Sequence, residues 1–289
     1  MLSVCAFLLL ATVPSYSQST KWKGLTQEWR SDANWDKGVP SETKSGITSI
    51  SVQPATVPPP APDTARTLDF DVQAGGLLQF EPTGVLVVHG TQFRITPHGT
   101  VQLGTGTLIS KGNLTFFNEG LFQADQGTLE FSGVVWNNKP GSQFDPGTST
   151  VIFNGSGSQE LIIDPGSSFS LYNLRVLSPF ISITGQLVVN GDCEIAEGSS
   201  LYIEAGGSLT INGNFTGDPS SIQGEGSVTL PVQLSAFTVS AQRLDAILHW
   251  STATETNNYG FEIERRPGAH GGSWVRIGFV QGAGTSSQP

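Results

Sequence analysis

Glycine recurs in this 289-residue chain with a regularity that a general turn signal does not produce. Gly84, Gly106 and Gly127 stand 22 and 21 positions apart, and Gly90, Gly112 and Gly133 repeat the same two intervals. The segments between them share a pattern. Gly76-Leu77-Leu78-Gln79-Phe80, Gly99-Thr100-Val101-Gln102-Leu103 and Gly120-Leu121-Phe122-Gln123-Ala124 each read glycine, any residue, apolar, Gln, apolar. Alternation with a period of two puts Leu78 and Phe80, Val101 and Leu103, and Phe122 and Ala124 on one strand face. Three short strands per repeat, with apolar residues in the same phase each time, predict coils of a parallel β-helix in which each coil covers the one below. Leu86, Leu108 and Leu129, each two places after its glycine, make a second ladder. Glycine suits such corners because it takes positive φ without steric cost.

The pattern blurs between about 134 and 184 and then returns, with Gly185 and Gly207 22 apart ahead of Gln186-Leu187-Val188-Val189 and Ser208-Leu209-Thr210-Ile211. Asn190-Gly191 and Asn212-Gly213 resemble hairpin turns, but their recurrence in one phase favours coil corners. The expected fold is all-β: a right-handed parallel β-helix of three short strands per ~22-residue coil. The clear coils, 76–217, predict a rod of roughly 30 Å at ~4.8 Å per stacked strand. The β-helical region as a whole is assigned to 76–226, and the composition agrees. Thirty-five glycines and only 13% charged residues favour many short strands and turns. The net charge of −10 sets the chain against a phosphate backbone, so nucleic acid is not an expected partner.

The two ends read differently. Val4 to Ala11 is an apolar run followed by Ser15-Tyr16-Ser17, which predicts a signal peptide over 1–17, cleavage between Ser17 and Gln18, and a secreted or cell-surface address. No run approaches the ~20 apolar residues of a membrane helix. Cys5 leaves with the leader, so Cys193 is the one remaining thiol and no internal disulfide forms. Residues 18–75 read as a Trp-rich cap followed by an excursion, Pro54 to Pro62, with five prolines in nine positions. Trp22, Trp29 and Trp35 are expected to cover the end of the solenoid; the rival reading is a glycan-stacking platform. From 231 the strands lengthen, as in Ala246-Ile247-Leu248-His249-Trp250 and Phe261-Glu262-Ile263-Glu264. They predict a second region of antiparallel sandwich character over 231–289.

Parallel β-helices also carry polysaccharide lyases and hydrolases, whose sites need clustered carboxylates on one outer sheet. The candidates are Asp69 with Asp71, and Glu194, Glu197 and Glu204; an acidic solvated face is the simpler reading. His89, His98, His249 and His270 have no zinc-ligand spacing, no GxSxG elbow occurs, and neither a metal nor a cofactor is expected. Cys193 follows Gly191 as Phe215 follows Gly213, which assigns it to the inward ladder as a buried, unreactive thiol. Asn113, Asn154 and Asn214 head glycosylation sequons.

The strings LPVQLSAFTVSAQ, LHWSTATETNNYGFEIERR and WVRIGFVQGAGTSSQP resemble the start of a fibronectin type III-like domain found near the C-terminus of secreted Bacteroidetes and Chlorobi surface proteins. KWKGLTQEWRSDANWDKGVP is similar to the N-terminal module of the same proteins. The resemblance implies an incomplete sandwich over 231–289, the type IX export route, and O-glycosylation at Thr64 in Asp63-Thr64-Ala65. A non-catalytic structural or adhesin-like stalk is the expected function. A glycan-binding protein or a polysaccharide lyase or hydrolase fragment is the alternative, and surface glycans or other cell-surface proteins are the expected partners.

Overall fold

A computed structural model describes residues 19–23, 29–48, 54–60, 64–165, 169–230, 232–243, 245–266 and 273–286. Within them, Thr20 to Thr229 form a parallel β-solenoid of about nine turns. One coil runs Phe70–Val72, Leu77–Phe80 and Val85–Val88 on three successive faces, and Gln92–Ile95 returns to the first face one level on. Among the described residues the first face is a ten-stranded sheet from Thr20–Lys21 to Ile222–Gly224, and the third has eight strands from Ala65–Thr67 to Phe215–Thr216. The second face comprises a five-stranded sheet, Ala55–Val57 to Gln143–Asp145, and a three-stranded one, Gln186–Val189 to Ser227–Thr229, with Leu171 bridged to Val189 between them.

The expected ladders are present in register. Leu78, Val101, Phe122 and Phe144 are successive partners, as are Leu86, Leu108, Leu129 and Val151, and Leu187 with Leu209. All are buried. Each fully buried side chain of this size contributes about 1.5–3 kcal/mol, and it does so without a second layer because the next coil is its cover. The first face also builds an aromatic column: Phe70 stacks on Phe93, Phe93 meets Phe116 edge-on at 5.2 Å, and Phe116 lies 4.9 Å from Trp136.

The solenoid is longer at both ends than the 76–217 of clear coils. Gly46–Thr48 pairs with Phe70–Val72, Ala55–Val57 with Leu77–Phe80, and Ala65–Thr67 with Val85–Val88, while Ser227–Thr229 still stacks on Ser208–Ile211. Ten strands at about 4.8 Å rise roughly 43 Å, rather than 30. The first part of the proline run is therefore no excursion outside the core, since Ala55 and Val57 within it are fully buried. Prolines are tolerated there because, among the described residues, Ala55–Val57 is the terminal strand of its sheet, paired on one side only.

The blurred stretch is also solenoid, with coils of unequal length. Phe116 pairs with Trp136, 20 positions on, and Trp136 with Leu161, 25 positions on. Gln159 absorbs the slip from inside: its Nε2 donates to the carbonyls of Phe131 and Gly133 at 2.9 and 2.7 Å, and its Oε1 accepts the Gly155 N–H at 3.1 Å. A buried corner that would have left backbone groups without partners is thereby satisfied.

The reason for glycine at the corners is only in part the one expected: Gly112 and Gly185 do take positive φ, at 69° and 97°, but others of the ruler do not. The left-handed step is taken just before the ruler glycine, by Thr83, His98 and Gly75, while Gly84, Gly99 and Gly76 themselves have ordinary φ. What they require is room: a Cβ on Gly99 would lie 2.4 Å from the Val72 carbonyl oxygen, and one on Gly120 would lie 2.4 Å from that of Gly99. The stacked coils approach too closely for any side chain.

Beyond the solenoid lie three antiparallel strands, Gln233–Gln242, Asp245–Arg265 and Val275–Ser286. The first pairs with the early part of the second, and the third with its later part. Trp250 and Phe261, eleven positions apart in that long strand, nevertheless meet edge to face at 5.7 Å, so the strand turns back and brings the two strand pairs together. Leu234, Phe237, Leu248, Trp250, Phe261 and Ile263 line a cavity of about 200 Å³ between them. Alternation predicts Leu248, Trp250, Phe261, Ile263, Ile277 and Phe279 on one inner side; the first four line the cavity, whereas Ile277 and Phe279 are 58% and 37% exposed.

Candidate functional site

The three tryptophans of the opening segment sit inside the molecule, 4% (Trp22), 1% (Trp29) and 1% (Trp35) exposed. Trp35 packs edge-on between the other two at 5.0 Å from each, and its Nε1–H donates to the Trp29 carbonyl at 2.8 Å. Trp29 stacks on Phe70 at 5.6 Å and so heads the aromatic column of the first face. Among the described residues the three rings pack against one another and Phe70, with at most 4% of each residue exposed.

The carboxylates are likewise engaged within the structure. Asp69 lies in the bend before Phe70–Val72, and its Oδ1 accepts the backbone N–H groups of Thr91 and Gln92, both at 2.7 Å, fixing the corner of the next coil. Asp71 is buried and accepts from Gln73 Nε2 at 3.3 Å; its register partner Arg94 holds both carboxylate oxygens of Glu119 at 3.1 and 3.0 Å. Glu194 is a register partner of Arg175 on the third face, with Arg175 Nε donating at 2.7 Å and Nη2 at 3.4 Å. That hydrogen-bonded ion pair holds the Glu194 carboxyl below its ordinary range and raises the guanidinium. Glu197 and Glu204 lie in turns after separate strands, so the three glutamates are not brought onto one strand.

Cys193 occupies the predicted place, buried between Leu174 and Phe215 in register. Desolvation, and then the neighbouring Glu194 charge, push its thiol up to about 12, which keeps it protonated and unreactive near neutrality. Among the described residues no group of three His, Cys, Asp or Glu side chains is arranged to hold a metal ion. Thr64 is half-buried; Asp63 and the Ser17–Gln18 cleavage position lie outside the described residues.

One feature was missed from the sequence. An open groove of about 640 Å³ runs between the opening segment and the first coils, past Trp29, Arg30, Asp32, Glu42, Thr64 and Arg66. Glu42 pairs with Arg66 there and stands 3.6 Å from His89 Nε2. These residues are up to 47 positions apart in sequence, and no local motif announces them. Comparison with protein-family models, curated proteins and solved structures finds no match to this chain. No helix among the described residues is long and apolar enough to cross a membrane.

Proposed function

We propose that this chain is a secreted or cell-surface structural protein, a non-catalytic β-helical stalk that carries a fibronectin type III-like region and serves adhesion or surface assembly. The observation that supports it best is the unbroken first face, ten parallel strands deep over an interior filled by side chains. Such a stack resists bending because every level is hydrogen-bonded and packed to the next. The engagement of Asp69, Asp71 and Glu194 in corner bonds and ion pairs favours a structural role over polysaccharide cleavage. The fibronectin-like assignment draws on the resemblance of LPVQLSAFTVSAQ and the strings after it, and is compatible with two antiparallel strand pairs sharing an apolar inner side. Surface glycans and other cell-surface proteins are the partners this reading calls for.

Protease treatment of intact source cells, followed by immunodetection and N-terminal mapping, tests the address. Digestion from outside and a chain beginning at Gln18 are expected; protection inside the cell with Met1 retained would overturn it. A reducing-sugar assay on a polysaccharide panel addresses the catalytic alternative, and release of sugar above the blank would sink the stalk reading.

A further inference from the structure

Three Asn-Gly pairs occur in the chain: Asn154-Gly155, Asn190-Gly191 and Asn212-Gly213. This pair is chemically special because the amide nitrogen of an unhindered glycine can attack the side-chain carbonyl of the preceding Asn. That reaction needs the glycine nitrogen to be free, and here the three pairs differ. The Gly191 N–H donates to the Tyr172 carbonyl at 2.7 Å, and the Gly155 N–H donates to Gln159 Oε1 at 3.1 Å. Gly213 makes no such bond to any of the described residues: at its corner the hydrogen bonds come from its neighbours, Asn212 N to the Val189 carbonyl and Asn214 N to Asp192 Oδ1. Asn212 is also exposed, and its amide is held by a single hydrogen bond, Nδ2 to Asn190 Oδ1 at 3.1 Å.

We infer that Asn212 is a site of spontaneous chain modification, deamidation through a succinimide, and that Asn154 and Asn190 are protected by the fold. In the step, Gly213 N loses its proton and bonds to Asn212 Cγ, while the Cγ–Nδ2 bond breaks and ammonia leaves. Water then opens the ring at either carbonyl, giving aspartate or isoaspartate. The product alters the solenoid locally in two ways. A carboxylate replaces the amide that donated to Asn190 Oδ1, so the side-chain bond between the two corners is lost. Isoaspartate also lengthens the backbone between Ser208–Ile211 and Phe215–Thr216, where the register of Phe215 with Cys193 closes the third face.

The test is peptide mapping of the full folded chain after incubation in mildly alkaline buffer, with fragmentation that separates aspartate from isoaspartate. A urea-unfolded sample runs beside it. In the folded chain Asn212 is expected to convert roughly tenfold faster than Asn190, the factor that one backbone hydrogen bond of ordinary net strength accounts for. In urea the three sites should convert at similar rates. Equal rates in the folded chain, or an intact Asn212 in a folded sample whose urea control converts, would overturn the inference. An Asn212→Gln variant should abolish the principal acidic species seen on ion exchange; its persistence would do the same.

Discussion

Phe122 and Phe237 both sit in strands with alternating apolar residues, yet Phe122 is fully buried between Phe116 and Phe144 whereas Phe237 is 59% exposed. The contrast holds along both regions. Inward residues of the solenoid are covered coil after coil, while Leu234 (57%), Val239 (59%) and Ile277 (58%) in the antiparallel strands are more than half open to solvent. A solenoid coil needs only its neighbour to cover its inner side, and the repeat supplies that neighbour. An antiparallel pair needs a facing layer, and here one strand pair meets another across a cavity rather than across a filled interior.

The sharpest test of that difference is a matched pair of truncations. Trp136 lies at the centre of the aromatic cluster, against Phe116, Phe131, Phe144 and Phe153, so Trp136→Ala is expected to cost about 3–5 kcal/mol. Phe237→Ala, at a side chain more than half exposed, should cost about 1 kcal/mol or less. Urea titration followed by hydrogen exchange and mass spectrometry resolves the two regions separately. Similar losses at the two sites would break the comparison.

Glycine offers a second contrast. Gly120→Ala drives a Cβ to 2.4 Å from the Gly99 carbonyl oxygen, a backbone atom tied into the stack, and should cost about 2 to 3 kcal/mol. At Gly278, in the antiparallel region, the nearest atom to an added Cβ is the end of Ile263 at 3.6 Å, so Gly278→Ala should stay within about 0.5 kcal/mol. A Gly120→Ala protein with unchanged melting temperature would remove close coil approach as the reason for the glycine ruler.

These residues also mark how far the fold was legible in advance. Where three coils of nearly equal length succeed one another, the inward set is legible residue by residue, Leu78 to Ala124, because stacking repeats one pattern at one interval, and the strings after Gly185 and Gly207 show the same phase over two coils. Cys193 was assigned by the same phase argument. The first coils escaped notice because Gly46–Thr48 and Ala55–Val57 follow no glycine of the ruler and prolines surround the latter. The middle coils escaped it because Gln159, a polar side chain turned inward, repairs a change of coil length that apolar periodicity does not reveal. The candidate acids were legible only as residue types. Whether Asp69 faces a substrate or ties down the corner at Thr91 is decided by a neighbouring coil 22 positions away.

Cys193 supplies a pH test of the interior. Its thiol ionises near 9 when unperturbed and is pushed up to about 12 in the fold, so between those values the folded chain keeps a proton that the unfolded chain has lost. Stability from this group is therefore full below pH ~9 and falls as pH rises, by roughly 1 kcal/mol at pH 10. Cys193→Ala should flatten that part of the alkaline stability curve relative to the unmodified chain, other groups titrating alike in both. Identical alkaline slopes, or rapid labelling of the native thiol by a bulky maleimide, would count against its burial.

The smallest expected effect compares two surface ion pairs, one in each region. Arg175 and Glu194 stand side by side on parallel strands at 2.7 Å, and Arg276 reaches Glu262 across an antiparallel pair, also at 2.7 Å. All four side chains are between 41% and 55% exposed, so water and salt screen both interactions and each is worth at most about 1 kcal/mol. The carboxyl of Glu194 is held below its ordinary range by the Arg175 hydrogen bond, so the folded state binds that proton less readily than the unfolded one. Its contribution is accordingly present above the ordinary carboxylate pKa and disappears as pH falls through the lowered folded value. Arg175→Ala should lower the urea midpoint slightly near neutrality and not at all in acid or at high salt, and Arg276→Ala should have an effect of the same small size. An Arg175→Ala loss of several kcal/mol that persisted in high salt would mean that the outer surface of the stack, and not only its interior, holds the coils together.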